Sequence, residues 1–125
     1  MMIGYVTIGT NNLDGAVKLF DDLFEIIGVQ KLWQHGGMAA WGTSREDIAL
    51  CVVRPFNGQP ATLGNGNMVA LRMKSRSDVD AIHAKCIALG GTNEGKPGPQ
   101  GNHDFYGGYF RDLDGNKFNA YVPDG

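Results

Sequence analysis

Gly107-Gly108-Tyr109-Phe110-Arg111-Asp112-Leu113-Asp114-Gly115-Asn116-Lys117-Phe118-Asn119-Ala120-Tyr121-Val122 decides the fold. Two alternating runs flank an Asp-Gly pair. Asp114-Gly115 tolerates positive φ, as two-residue hairpin turns require, so the stretch predicts a β-hairpin. On its second strand Phe118, Ala120 and Val122 share one face, and Asn119 and Tyr121 share the other. The apolar face calls for a helix layer. The polar-aromatic face suits the lining of a cavity.

Working back from the hairpin, Lys96–Gly101 reads as a Gly/Pro loop and Thr92–Gly95 as a short strand. Before them, Val79, Ile82, Cys86 and Leu89 make a helical stripe. Ser77 is placed to cap that helix, Asp80 follows in a capping-box-like position, and Gly90-Gly91 stops it. Asn67–Lys74 alternates and predicts a strand. Pro55–Gly66 is a polar, Gly/Pro-rich link. The first part of the chain has the same order. Ile3–Thr10 is a strand, then Asn12 or Asp14 caps a helix whose stripe runs through Ala16, Val17, Leu19, Phe20, Leu23, Phe24 and Ile27 to Gly28. Strands follow at Lys31–His35, Met38–Thr43 and Ile48–Arg54.

The order strand, helix, three strands therefore occurs twice. One domain is expected, with modules at 1–57 and 67–125 joined by a link at 58–66. Neither half can cover both faces of its own sheet. The fold class is α+β: two βαβββ modules whose paired, curved sheets form a cup-shaped cavity. By alternation Tyr5, Thr7, Cys51, Val53, Met68, Asn119 and Tyr121 face that cavity.

The chain has 125 residues, a formal net charge of −2 and no run of Lys or Arg, which argues against a nucleic-acid surface. Its 19 glycines fall mainly where strands would end, as in a β-rich domain with tight turns. Cys51 and Cys86 have no metal-type spacing. They read as reduced thiols of a cytoplasmic protein, with a disulfide between them left open. No leader peptide or membrane-length apolar run is read, so no membrane partner is expected. Exposed edge strands and a small core favour a homodimer.

Four segments carry a family resemblance: Ile3-Gly4-Tyr5-Val6-Thr7-Ile8-Gly9-Thr10-Asn11-Asn12-Leu13; Gly64-Asn65-Gly66-Asn67-Met68-Val69-Ala70-Leu71; the helix Ser77–Gly91; and Tyr109 to Ala120 with its Arg-Asp-x-Asp-Gly-Asn turn. In this doubled order the chain resembles the glyoxalase/bleomycin resistance/extradiol dioxygenase (vicinal oxygen chelate) superfamily over essentially its whole length. The resemblance implies a cavity that either holds one divalent cation or captures a small organic ligand. In metal-dependent members, His and Glu occupy four inward strand positions. These fall on Tyr5, Met68, Asn119 and, by the loosest alignment, Cys51. None is the expected ligand, so the resemblance points to metal-independent binding of a small molecule with no cofactor. The alternative is a divalent-metal enzyme, a lactoylglutathione lyase-like isomerase or a dioxygenase, with a displaced site around His35, His103 or Glu94.

The pocket expected from sequence comprises Tyr5, Trp41, Cys51, Met68, Tyr106, Asn119 and Tyr121. Each has a plainer reading beside it. The tyrosines can fill the cavity mouth with their hydroxyls in water. Asn119 can serve a neighbouring side chain. Met68 can be core filling, and Trp33 and Trp41 either an apolar pocket wall or ordinary core. His35 and His103 are the acid–base candidates, and a metal-free enzyme would use one of them. As loop or strand-end residues they can equally be solvated. His83 reads as a solvated or minor packing residue. Arg54 and Arg111 could hold an anionic ligand or pair on the surface. Lys96–Gly108 is the lid candidate, or else a plain connector.

Overall fold

The computed structural model describes residues 2–101 and 104–123. The chain divides into two compact units, Met1–Leu63 and Gly64–Gly125. The first contains β1 (Val6–Gly9), α1 (Leu13–Glu25), β2 (Gln30–His35), β3 (Met38–Ser44) and β4 (Asp47–Val53). Its sheet has the order β1-β4-β3-β2, with β1 parallel to β4 and the other pairs antiparallel. The second contains β5 (Val69–Arg72), α2 (Arg76–Ala88), β6 (Thr92–Pro99), β7 (Phe105–Arg111) and β8 (Lys117–Pro123), in the order β5-β8-β7-β6. β5 is again parallel to the last strand of its unit. The doubled α+β order expected from the sequence is therefore present.

Each helix covers one face of its own sheet. In the first unit Phe20, Leu23 and Phe24 of α1 are buried, and Trp41 packs between Phe20 and Phe24 at ring separations of 5.7 and 6.1 Å. Trp41 pairs with Leu50, and Ala39 with Val52, so these four share the helix-covered face. In the second unit Val79, Ile82 and Cys86 of α2 are buried, as are Phe110, Phe118 and Ala120. Phe110 and Phe118 stack at 5.6 Å. His83 is also buried and binds Asn93 Oδ1 and the Tyr109 carbonyl through Nε2. Both partners accept, so Nε2 carries the proton and ties α2 to β6 and β7. His83 lies four residues after Val79 on the apolar stripe, which is why it is buried rather than solvated.

Several local details differ from the sequence reading. Asn12 caps α1 by accepting from the Gly15 N–H at 3.1 Å, but Ser75 rather than Ser77 caps α2, accepting from Asp78 at 3.1 Å. The first strands of both units are short, so Tyr5 and Met68 precede them. Residues expected to loop from Lys96 continue as β6 through Pro99, with bulges between Asn93 and Gly95 and between Gly95 and Gly98. β6 is an edge strand, where a proline lacking its N–H can be accommodated. The last hairpin closes at the pair Arg111 and Lys117, which leaves five residues in the connection rather than two. The buried Asp112 carboxylate builds that connection. It accepts from the backbone of Asp114 and Asn116 at 3.0 and 2.8 Å and from Asn116 Nδ2 at 2.9 Å, and Gly115 takes a φ of 90°. In the link, Asn11 accepts from the Ala61 N–H at 2.7 Å and donates to its carbonyl at 3.1 Å.

Candidate functional site

The face of each sheet turned away from its helix carries the candidate chemistry. In the first unit cross-strand partners define that face. Thr7 pairs with Cys51, Cys51 with Ala40 and Ala40 with Trp33; Val53 pairs with Met38 and Met38 with His35. Trp33 and His35 lie ring against ring, 4.9 Å between centroids and tilted by 30°. At this end of the sheet Trp33, His35, Met38, Val53, Arg54 and Phe56 line an open cleft of about 570 Å³. Its size falls within the range of small-molecule pockets.

In the second unit, β7 and β8 present Phe105, Gly107 and Tyr109 beside Tyr121, Asn119 and Lys117 on the helix-free face. Phe105 meets Tyr121 edge-on at 5.8 Å, and Lys117 Nζ lies 5.4 Å from the Tyr109 ring centre. Asn119 sits among them at 5% exposure, and its Oδ1 is buried with no hydrogen-bond partner among the described residues. A Cβ on Gly107 would stand 2.8 Å from that oxygen, so the glycine leaves the space the amide occupies. Beyond the aromatic rings, the Arg111 guanidinium binds the Glu94 carboxylate and donates to the Gly115 carbonyl. Its hydrogen bond holds the Glu94 carboxyl below the usual range.

Measured against these faces, the expected pocket set separates. Cys51 lies on the helix-free face of the first unit, and Asn119 and Tyr121 on that of the second. Trp41 does not. It is fully buried on the helix-covered face, with its indole Nε1 donating to Asp21 Oδ1 at 2.9 Å. A bulge between Trp41 and Gly42, in a strand apolar on both sides, hides this from simple alternation. Tyr106 is also on the helix side. Its hydroxyl donates to Asp80 of α2 at 2.6 Å, which pushes the phenol up, and Arg76 stands 4.7 Å over its ring. Tyr106 is a strand residue two places from Gly108 and four from Phe110, so it shares their face. Tyr5 and Met68 are 55% and 44% exposed in the segments before β1 and β5. His35 is at the cleft; His103 lies outside the described residues. Phe56, Phe105, Gly107, Tyr109 and Lys117 were not singled out from the sequence as site residues. A two-residue Asp114-Gly115 turn would set Tyr109 opposite Ala120, so the sequence carries no signal for the pairing with Asn119 that brings most of them together.

The family model for the Glyoxalase/Bleomycin resistance protein/Dioxygenase superfamily matches residues 2–120. The chain belongs to this superfamily. A crystal structure of a glyoxalase/bleomycin resistance protein from Albidiferax ferrireducens T118 is 34% identical, with a TM-score of 0.88 and 98% of each chain covered. A glyoxalase-related enzyme from Fulvimarina pelagi shares the fold at 16% identity and a TM-score of 0.75, over 98% of this chain and 88% of its own. A lactoylglutathione lyase from Agrobacterium tumefaciens does so at 19% identity and 0.68, over 96% and 92%. No curated protein matches the chain. Among the described residues no helix is long and apolar enough to cross a membrane.

The superfamily resemblance implies a divalent cation in its metal-dependent members, so the donors at the four matching positions matter. Tyr5 and Met68 offer an exposed phenol and an exposed thioether, and Asn119 a neutral amide. Burial pushes the Cys51 thiol up, away from the thiolate that binds metal. Hard divalent cations favour carboxylate, carbonyl and imidazole donors, and this set does not fit one. Glu94, the carboxylate of the displaced alternative, is already engaged by Arg111.

Proposed function

We propose that the protein binds a small, partly aromatic or apolar organic molecule without a metal, on the helix-free faces of its sheets. The observation that carries this reading is the buried, unpartnered Asn119 Oδ1 among Phe105, Tyr109 and Tyr121. A buried acceptor without a donor is costly, and natural structures rarely leave one unsatisfied. A ligand N–H or O–H would supply the donor once the side chains covering this oxygen part to admit it, and the same aromatic rings would take the apolar part. The proposal includes a homodimer in a reducing, cytoplasmic setting, which the two buried free thiols suit.

Thermal-shift screening of small aromatic amides and phenols tests the reading, on protein treated with chelator and again with added nickel, manganese or zinc. Donor-bearing ring compounds should raise the melting temperature equally with and without metal. Asn119→Ala should remove that shift and leave the free protein folded, since it deletes an unsatisfied group. A shift that appears only with metal would establish the glyoxalase-type alternative instead. A shift that survives in Asn119→Ala would remove the amide from the site.

A further inference from the structure

The geometry points to a selective subsite for a planar aromatic carboxylate in the first-unit cleft, with Trp33 and Phe56 holding the ring and Arg54 the carboxylate. This rests on small-molecule binding as the protein's role and names a ligand class for one face.

Four observations converge on it. Trp33 is half-buried and backed by the His35 ring, so it is a braced flat wall. Phe56 flanks the same cleft with its side chain wholly in water, at 106% exposure. A phenyl ring left in water on the lining of the cleft that Trp33 also lines is apolar surface available to a guest. Arg54 packs its stem on the glycine turn: a Cβ on Gly37 would lie 3.8–3.9 Å from Arg54 Cβ, Cγ and Cδ. Among the described residues no carboxylate pairs with Arg54. Arg111, the other arginine considered for anions, is already bound to Glu94 and the Gly115 carbonyl.

The charge balance selects the guest. Among the described residues the cleft is lined by Arg54 and His35 and by no Asp or Glu. A cationic ring would meet an unfavourable field, and a neutral ring would leave Arg54 unused. An inorganic anion would leave Trp33 and Phe56 unused. A ring bearing a carboxylate uses both, and a guanidinium matches a carboxylate with two parallel hydrogen bonds.

Calorimetric titration with 2-naphthoate, its methyl ester and 2-naphthylmethylammonium tests this. Naphthoate should bind at least about tenfold more tightly than the ester, as one charge-assisted hydrogen bond implies, and the ammonium weakest. Arg54→Gln should erase the naphthoate-over-ester preference, and Phe56→Ala should weaken every ring probe. Both residues are exposed, and circular dichroism confirms that the variants fold. Equal binding of acid and ester, a preference intact in Arg54→Gln, or no naphthoate binding would overturn the inference. If naphthoate fails while amides still stabilise the protein through Asn119, only the subsite falls. If neither binds, the binding role falls as well.

Discussion

Replacing Trp41 separates the core from the binding surface. The indole is fully buried against Phe20 and Phe24 and donates to Asp21. Truncation to Ala removes nearly the whole side chain from a packed layer, and comparable Trp or Phe truncations cost about 3–5 kcal/mol. A domain of this size is stable by about 5–15 kcal/mol, so Trp41→Ala should be strongly destabilised or unfolded. Trp41→Phe keeps much of the ring contact and loses the indole N–H. Its cost should be about 1–2 kcal/mol, most of it the hydrogen bond to a half-buried carboxylate. At about 3–5 °C per kcal/mol for a chain of this length, the melting temperature should fall measurably. Urea denaturation followed by circular dichroism gives the free energies. In a double-mutant cycle, Asp21→Ala should add little once Trp41→Phe is present, leaving a coupling of about 1 kcal/mol. Ligand affinity in the folded Phe variant should be unchanged. A Trp41→Ala protein as stable as the wild type but unable to bind ligand would refute this placement and put the ring back in the pocket.

Two further perturbations address the second unit. Gly107→Ala would set a Cβ 2.8 Å from Asn119 Oδ1 and 3.0 Å from a ring carbon of Phe105, and should cost about 1–3 kcal/mol; adding Asn119→Ala should recover part of it, whereas strictly additive melting temperatures would exclude the clash. Burial raises the Asp112 carboxyl above its ordinary value of 3.8, against the opposing pull of its Asn116 hydrogen bonds. The folded state therefore holds this proton more tightly than the unfolded state. That contribution is fully present below the unfolded value and is lost as pH rises through the folded one. Asp112→Asn should remove this component, so the stability difference between wild type and variant should shrink or reverse as pH rises from about 3 to about 6; a difference independent of pH would refute it.

The sequence disclosed the repeated element order because each helix has its stripe, its cap region and a glycine stop, and each strand its turn residues. It disclosed less about which way particular rings face. Met38, Ala39, Ala40 and Trp41 are apolar in succession, so alternation gives no side, and the packing of Trp41 against Phe20 and Phe24 of α1 settles it. Tyr106 was misplaced because the prolines and glycines before it read as loop. Once β6 and β7 are recognised as paired strands, Tyr106 falls opposite Val122, on the side already known to be apolar. The hairpin was legible as a hairpin, but its connection was not. Asp114-Gly115 gave the stronger turn signal, and the buried Asp112, collecting three donors, fixed the actual length. Asn119 was legible as a polar inward residue, but its missing partner was visible only in three dimensions.

The outer rim of the second sheet is β6, with two bulges, Pro97 and Pro99 lacking N–H groups, and Glu94 and Lys96 along its length. An extended strand arriving there would find interrupted donors and a twisted template. Growth of the sheet across this border, whether by another molecule of the protein or by a misfolded fragment, is thereby obstructed. The opposite border, formed by the four residues of β5, has no proline and no bulge in its pairing with β8. The sheet thus has one rim guarded against fibre-like stacking and one short rim where ordered strand addition meets no such obstacle.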